Sequence, residues 1–325
     1  MTLPATVPVR LPDELTELLD TVAVDLDAAV ATVGGRRHQV EGSRTLRGVL
    51  RGVLYQSWHA GIEEPEDGTV RRPRPPRAHA GPLERALIRA VPHEHTRIAA
   101  TLRSVATDGS AVVETGGVRI LVHRDALVEA DDSSAVVALP AVRPWLSPGF
   151  VLAHGSRGGL RRGSEYVRLY VHVRRADAAE EVWRRALESL EDSAVPYQAK
   201  ILAHASHYPR RDAMVVYLDA AHAGVARDVV EAVRSLTGLG AATSAFAQRL
   251  APGLALASEP ADHRVGWTGL SFGQHRAAAV TEGLLAHATD PFAGSRDDQV
   301  AAALSAAGID PTAPYRNLLP TRDPS

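Results

Sequence analysis

The segment PYQAKILAHASHYPRRDAMVVYLD, residues 196–219, brings a lysine, two histidines and two adjacent arginines up to an apolar strand. Lys200 stands in YQAKILA, next to Ile201 and four residues after the rigid corner at Pro196. Such flanks describe either a lysine that snorkels out of a half-exposed strand or an amine partly withdrawn from water. If Arg210 or Arg211 lies across the sheet from it, burial and like charge both disfavour the ammonium and turn the amine toward service as a base. The arginines have a use of their own, because a planar guanidinium grips phosphate or carboxylate oxygens in pairs. The expectation is an anion site beside a base.

A second set stands in EYVRLYVHV, residues 165–173, where Val167, Leu169, Val171 and Val173 alternate with Arg168, Tyr170 and His172. Alternate strand residues share one face about 7 Å apart. Arg168 is thus a further anion ligand, and Tyr170 and His172 either donate protons or line a polar sheet face. Arg276, with His275 beside it in SFGQHR, stands near an expected helix start, where free backbone N–H groups reinforce anion binding. A metal is not expected: His93 and His95, or His204 and His207, have usable spacings, but no carboxylate-and-histidine set completes a motif. GSRGG, residues 155–159, lacks the Gly-Lys-Ser/Thr ending of a phosphate loop and reads as a mobile loop.

These residues need a scaffold, and the pattern predicts an α+β fold: a mixed or antiparallel sheet flanked by helices, with a helical N-terminal region. Leu15, Leu18, Leu19 and Val22, then Leu46, Val49, Leu50, Val53 and Leu54, fall at helical spacing. RRPRPPRAHAGP, residues 71–82, reads as a loop. The expected division is therefore a helical region with its Pro/Arg-rich loop over 1–82 and an α+β core over 83–325. In the core, Gly116-Gly117 marks a hairpin, 177–191 a helix capped by Asp177, 195–202 and 213–219 strands, and 224–236 and 272–288 helices.

The whole chain, 325 residues with 45% hydrophobic and 23% charged, has an ordinary globular composition. Its net charge of -2 gives no global attraction to nucleic acid or to an anionic membrane. The start MTLPATVPVR lacks a signal-peptide pattern and no run is long enough to span a bilayer, so a cytoplasmic location is expected. With no cysteine, thiolate metal sites and cysteine nucleophiles are excluded.

SPGFVLAHG, YVRLYVHV, VPYQAKIL, YPRRDAMVVYL, LAPGLALASEP, SFGQHR and GIDPTAPYRNLL occur in the order and approximate spacing of the HopA-like effector family, which the chain resembles over about residues 45–320. Actinobacterial members are similar to the lyases of class V lanthipeptide and thioamitide biosynthesis. The resemblance implies a phosphoserine/phosphothreonine lyase that needs no cofactor and eliminates phosphate from a precursor peptide, with a separate kinase and a cyclase as partners. The family is distantly similar to phosphothreonine lyases that use a lysine base, a histidine acid and an arginine clamp. Carried over, Lys200 is the base, Arg210 or Arg211 part of the clamp and Arg276 another part. The acid departs from the pattern, with Tyr170 at the nearest position and His172 two residues on. A phosphopeptide-binding module without catalysis is the alternative.

Overall fold

The structure, a computed structural model, describes residues 10–62, 81–143, 146–160 and 163–318. They form two compact units: one takes the described residues of 1–70, 242–250 and 255–325, the other those of 71–241 and 251–254. Most of the Pro/Arg-rich stretch, residues 71–80, lies outside the described residues. The class is α+β, with three antiparallel sheets and seven α-helices among the described residues.

In the first unit, helix α1 (Asp13–Asp20) buries Leu15 and Leu19. Val22, expected in the same stripe, instead opens a three-stranded meander of β1 (Val22–Asp25), β2 (Val30–Val33) and β3 (Arg36–Gln39). The N-terminal region is therefore not purely helical. The second turn of the meander is Gly34-Gly35, at φ 56° and 80°. Those are the two left-handed positions that a two-residue hairpin requires. Helix α2 (Ser43–Leu54) buries Leu46, Leu50 and Leu54 and widens into a π-turn over Tyr55–Ala60.

The second unit begins with α3 (Pro82–Arg89) and a five-stranded antiparallel sheet. Its strands are β4 (His95–Val105), β5 (Ala111–Thr115), β6 (Val118–Val122), β7 (Leu127–Ala130) and β8 (Ser134–Pro140), in the order β6-β5-β4-β8-β7. The Gly116-Gly117 hairpin forms as expected, at φ 56° and 77°. Ala111, Val113, Val122, Ala135 and Val137 make a separate small core.

The site depends on the next sheet, in which β9 (Phe150–His154), β10 (Tyr166–Val173), β11 (Tyr197–Leu202) and β12 (Arg210–Asp219) run in the order β10-β12-β11-β9, all antiparallel. One face is apolar: Leu169, Val171, Ala199, Ile201, Met214 and Val216 are fully buried. Helix α4 (Ala179–Asp192) packs against β11 and buries Val182, Trp183, Ala186, Leu187 and Leu190. Burying side chains of this size contributes about 1.5–3 kcal/mol each for the larger ones. The Trp183 indole donates to the Leu87 carbonyl at 3.0 Å, tying α4 to α3. Asp177 does not cap α4; it is one residue before the N-cap Ala178, in a 3-10 turn, and pairs with Arg175. Helix α5 (Val225–Val233) follows and packs on α4.

The chain passes through β13 (Gln248–Ala251) and β14 (Leu254–Ser258) back into the first unit. There α6 (Phe272–Thr289) packs between α2 and α7 (Arg296–Ala306). Gly283 permits the approach of α7, because a Cβ there would lie 2.5 Å from the Val300 Cα.

Candidate functional site

The other face of the second sheet is polar, and register shows why the residues meet. Arg168 pairs with Tyr217, Tyr217 with Gln198 and Gln198 with His154, forming one line across four strands. Two residues along each strand, Tyr170, Val215, Lys200 and Leu152 form a second line. Directly opposed residues of antiparallel strands share a face, and so do residues two apart on one strand. Arg168, Tyr170, Lys200, Gln198, Tyr217 and His154 therefore occupy one surface.

Lys200 holds its Nζ 4.7 Å from the centroid of the Phe150 ring and 5.7 Å from that of Tyr217. The Arg168 guanidinium lies 5.0 Å from the same Tyr217 ring. The negative π-face of one tyrosine thus serves two cations, a favourable contact for each. Among the described residues Lys200 has no carboxylate partner. Arg168 is 8% exposed and Tyr217 7%. With so little water around them, charge on a ligand would be felt strongly.

Tyr170 is 4% exposed, and burial pushes its phenol well above the ordinary tyrosine range. The nearby Arg168 guanidinium opposes that shift, while Tyr217 and Asp212 add to it. The phenol keeps its proton and can donate it in a hydrogen bond to a ligand. His172 leaves the ladder at an irregularity between Val171 and Val173. Its backbone pairs with Gly253 and Gly240 at 2.8 and 2.9 Å. A Cβ on Gly240 would fall 2.1 Å from the His172 ring, so the imidazole is packed against that backbone.

Neither Arg210 nor Arg211 lies across from Lys200. The residues opposite it are Val215 and Leu152, while Arg210 pairs with Val173 at the far end of β12. The chain reaches β12 through the turn Ala205–His207 and enters it earlier than the apolar pattern suggests. Arg210 donates from Nε and Nη2 to the two carboxylate oxygens of Asp212, at 2.7 and 2.6 Å. Arg211 is half-buried at the same strand end.

His275 and Arg276 belong to the first unit, fully buried in α6. Arg276 donates to the Pro314 carbonyl, to Asn317 Oδ1 and to His275 Nδ1, at 2.9, 2.9 and 3.0 Å, with its guanidinium over the Phe272 ring. Because His275 Nδ1 accepts from Arg276, its Nε2 carries the proton that is donated to Asp262, at 3.0 Å. Burial lowers the His275 pKa to about 4, against the pull of Asp262 and with the help of Arg276. The start of α6 is closed by a capping box in which Ser271 accepts from the Gln274 N–H.

The loop Gly155–Gly159, expected to be mobile, is held by several hydrogen bonds. Gly155 donates to Tyr197 at 3.0 Å, Arg97 to the Ser156 carbonyl at 2.9 Å, and the Ser156 hydroxyl and N–H both bind Glu191. Among the described residues no cluster of three His, Cys, Asp or Glu could hold a metal ion, and no helix is long and apolar enough to cross a membrane. Sequence reasoning overlooked Tyr217, Gln198, His154 and Phe150. The period of two that selected Arg168 and Tyr170 would have selected Tyr217 and Gln198 as well, once β12 and β11 were placed antiparallel.

Residues 141–316 match the model described as the HopA1 effector protein family. Among solved structures, the effector protein from Pseudomonas syringae pv. tomato strain DC3000 is similar at 21% identity over 52% of this chain and 63% of that one, with a TM-score of 0.42. The effector protein from Pseudomonas syringae pv. syringae strain 61 is similar at 15% identity over 53% of this chain and 64% of that one, with a TM-score of 0.40. The chain thus spans less than two thirds of the length of either. No curated protein matches the sequence.

Proposed function

This chain belongs to the HopA1 effector protein family, and from that premise we propose that it is a phosphoserine/phosphothreonine lyase acting on a kinase-phosphorylated precursor peptide. The observation that carries this reading is the placement of Lys200, an amine without a carboxylate partner among the described residues, on the same tyrosine ring as the buried Arg168. The Lys200 amine, after giving its ammonium proton to solvent, takes the α-proton of the phosphorylated residue. The C–H electron pair becomes the Cα–Cβ double bond, the Cβ–O bond breaks, and its pair leaves with phosphate. The leaving phosphate takes one proton from solvent, so the products are a dehydroalanine or dehydrobutyrine residue, hydrogen phosphate and the lysine ammonium.

Charge develops on the carbonyl oxygen and on the leaving group, and fixed donors lower the barrier at both places. Arg168 and the Tyr170 hydroxyl are two such donors beside the base. A separate kinase supplies the substrate, and a cyclase consumes the electrophilic product in lanthipeptide or thioamitide formation. The deciding experiment incubates the protein with a phosphorylated peptide and follows it by mass spectrometry. Loss of one phosphoric acid per phosphosite supports the lyase; recovery of the hydroxyl form identifies a phosphatase, and an unchanged mass a binding module.

A further inference from the structure

We propose that Arg143 and His154 are the seat of the substrate's phosphate, an anion subsite on the opposite side of Lys200 from Arg168. Residues 141–143 run antiparallel beside β9: the His154 backbone N–H donates to the Ala141 carbonyl at 3.0 Å, the Arg143 backbone N–H to the Leu152 carbonyl at 2.8 Å, and Val142 bridges to Ala153. Arg143 is therefore opposite Leu152, which is itself opposite Lys200. Opposed residues share a face, so Arg143 stands on the polar surface in the line of Lys200 and Tyr170. Two strand spacings put the Cα atoms of Arg143 and Lys200 about 10 Å apart, within reach of one phosphoamino acid for two long side chains.

The state of the Arg143 guanidinium points to a ligand. It is half-buried, and among the described residues it has neither a hydrogen bond nor an ion pair. Burial alone lowers its pKa, with no carboxylate opposing the shift. Elsewhere in the chain Arg175, Arg184, Arg264, Arg316 and Arg210 each bind an acid. A partly desolvated guanidinium without a counter-charge is a cost in the empty protein, and an arriving anion offsets it.

His154 completes the seat. It stands in the line of Arg168, Tyr217 and Gln198, close enough to Arg143 for the guanidinium charge to lower its pKa in addition to burial, while a hydrogen bond with Gln198 opposes both. Gly159 passes over its edge, where a Cβ would lie 3.1 Å from Nδ1, so no side chain covers the ring there. A guanidinium and an imidazole at one corner form a site for a compact anion with several acceptor oxygens, which is the chemistry of a phosphate monoester. Lys200 lies two strands from Arg143 and two from Arg168. That spacing divides the labour, with phosphate held by Arg143 and His154 and the carbonyl oxygen by Arg168 and Tyr170.

The subsite rests on the lyase reading for the identity of its substrate, but not for its affinity for phosphate. The test titrates wild type, Arg143→Ala, Arg143→Lys and Lys200→Met with inorganic phosphate, reading the rise in thermal midpoint. A phosphoserine hexapeptide and its unphosphorylated form are then compared by fluorescence anisotropy. Among the described residues the Arg143 side chain gives up no partner when truncated, and circular dichroism checks its fold. Wild type and Lys200→Met should bind phosphate and prefer the phosphorylated peptide, while Arg143→Ala loses roughly 10- to 100-fold in both, the worth of a charge-assisted contact. Arg143→Lys should recover only part of that loss. Phosphate binding by Arg143→Ala equal to wild type, or none by wild type, overturns the subsite. Arg143-dependent binding without elimination leaves the subsite standing and removes the lyase; wild-type elimination rates in Arg143→Ala do the reverse.

Discussion

Arg210 and Asp212, two residues apart on β12, close a two-pronged ion pair at 2.7 and 2.6 Å. Their side chains are 19% and 10% exposed, so the pair is sheltered and the guanidinium fork is taken. Breaking one partner leaves a poorly solvated charge, which costs about 3–5 kcal/mol when a pair is fully buried and less here. Asp212→Asn should lower the urea midpoint clearly, and Arg210→Met combined with Asp212→Leu should recover part of the loss. Equal stability of Asp212→Asn and wild type would show that the pair contributes nothing.

Lys200→Met removes the amine that lies over Phe150 and Tyr217 and retains much of the stem. Elimination should vanish while affinity for the phosphopeptide stays within a few-fold, since base and anion seat are separate groups. Single-turnover mass spectrometry beside an anisotropy titration separates the two. Persistent turnover by Lys200→Met removes lysine from the role of base.

Much of this scaffold is legible in the residues. The alternation in YVRLYVHV and the stripe Val182, Ala186, Leu187, Leu190 each form the expected element. The meander at 22–39 carried the same signal as Gly116-Gly117, a glycine pair between short alternating runs, but Val22 also continued the helical spacing of Leu15, Leu18 and Leu19. Arg143 was invisible for another reason. Its place beside Lys200 is set by two successive strand pairings, and nothing in its local sequence records either. Arg210 was misplaced because the length of the turn before β12, which sets the register, cannot be read from apolar periodicity.

The buried Asp262–His275–Arg276 chain gives a pH dependence with a defined sign. The folded His275 pKa is about 4 and the reference value is 6.5. As pH falls below 6.5 the unfolded chain binds this proton and the folded one does not, so stability is lost between pH 6.5 and about 4. It is retained above 6.5. Folding free energy should fall by up to about 3 kcal/mol over that window from this group. Ring resonances of labelled histidine should show His275 neutral at pH 5; a midpoint near 6.5 would refute the assignment.

Tyr170 and His172 can be separated because the structure gives them different surroundings. Tyr170 stands in the Lys200 line with Arg168 at its hydroxyl, and burial keeps the phenol protonated. Tyr170→Phe keeps the ring and deletes the donor. A donor to charge that develops in the transition state is worth roughly 10²- to 10⁴-fold, and a phenol held this far above its usual range works by hydrogen bonding more than by proton transfer, so the lower end is expected. Its loss should appear in kcat, with the thermal midpoint nearly unchanged. His172 is fixed against Gly240 and at the ladder irregularity, so His172→Gln should reduce stability and leave kcat within a few-fold. Gly240→Ala is the matching control: its new Cβ collides with the same imidazole and should destabilise the fold in the same way. If His172→Gln instead abolishes turnover in a protein that melts normally, the histidine is the acid and Tyr170 is a wall of the site.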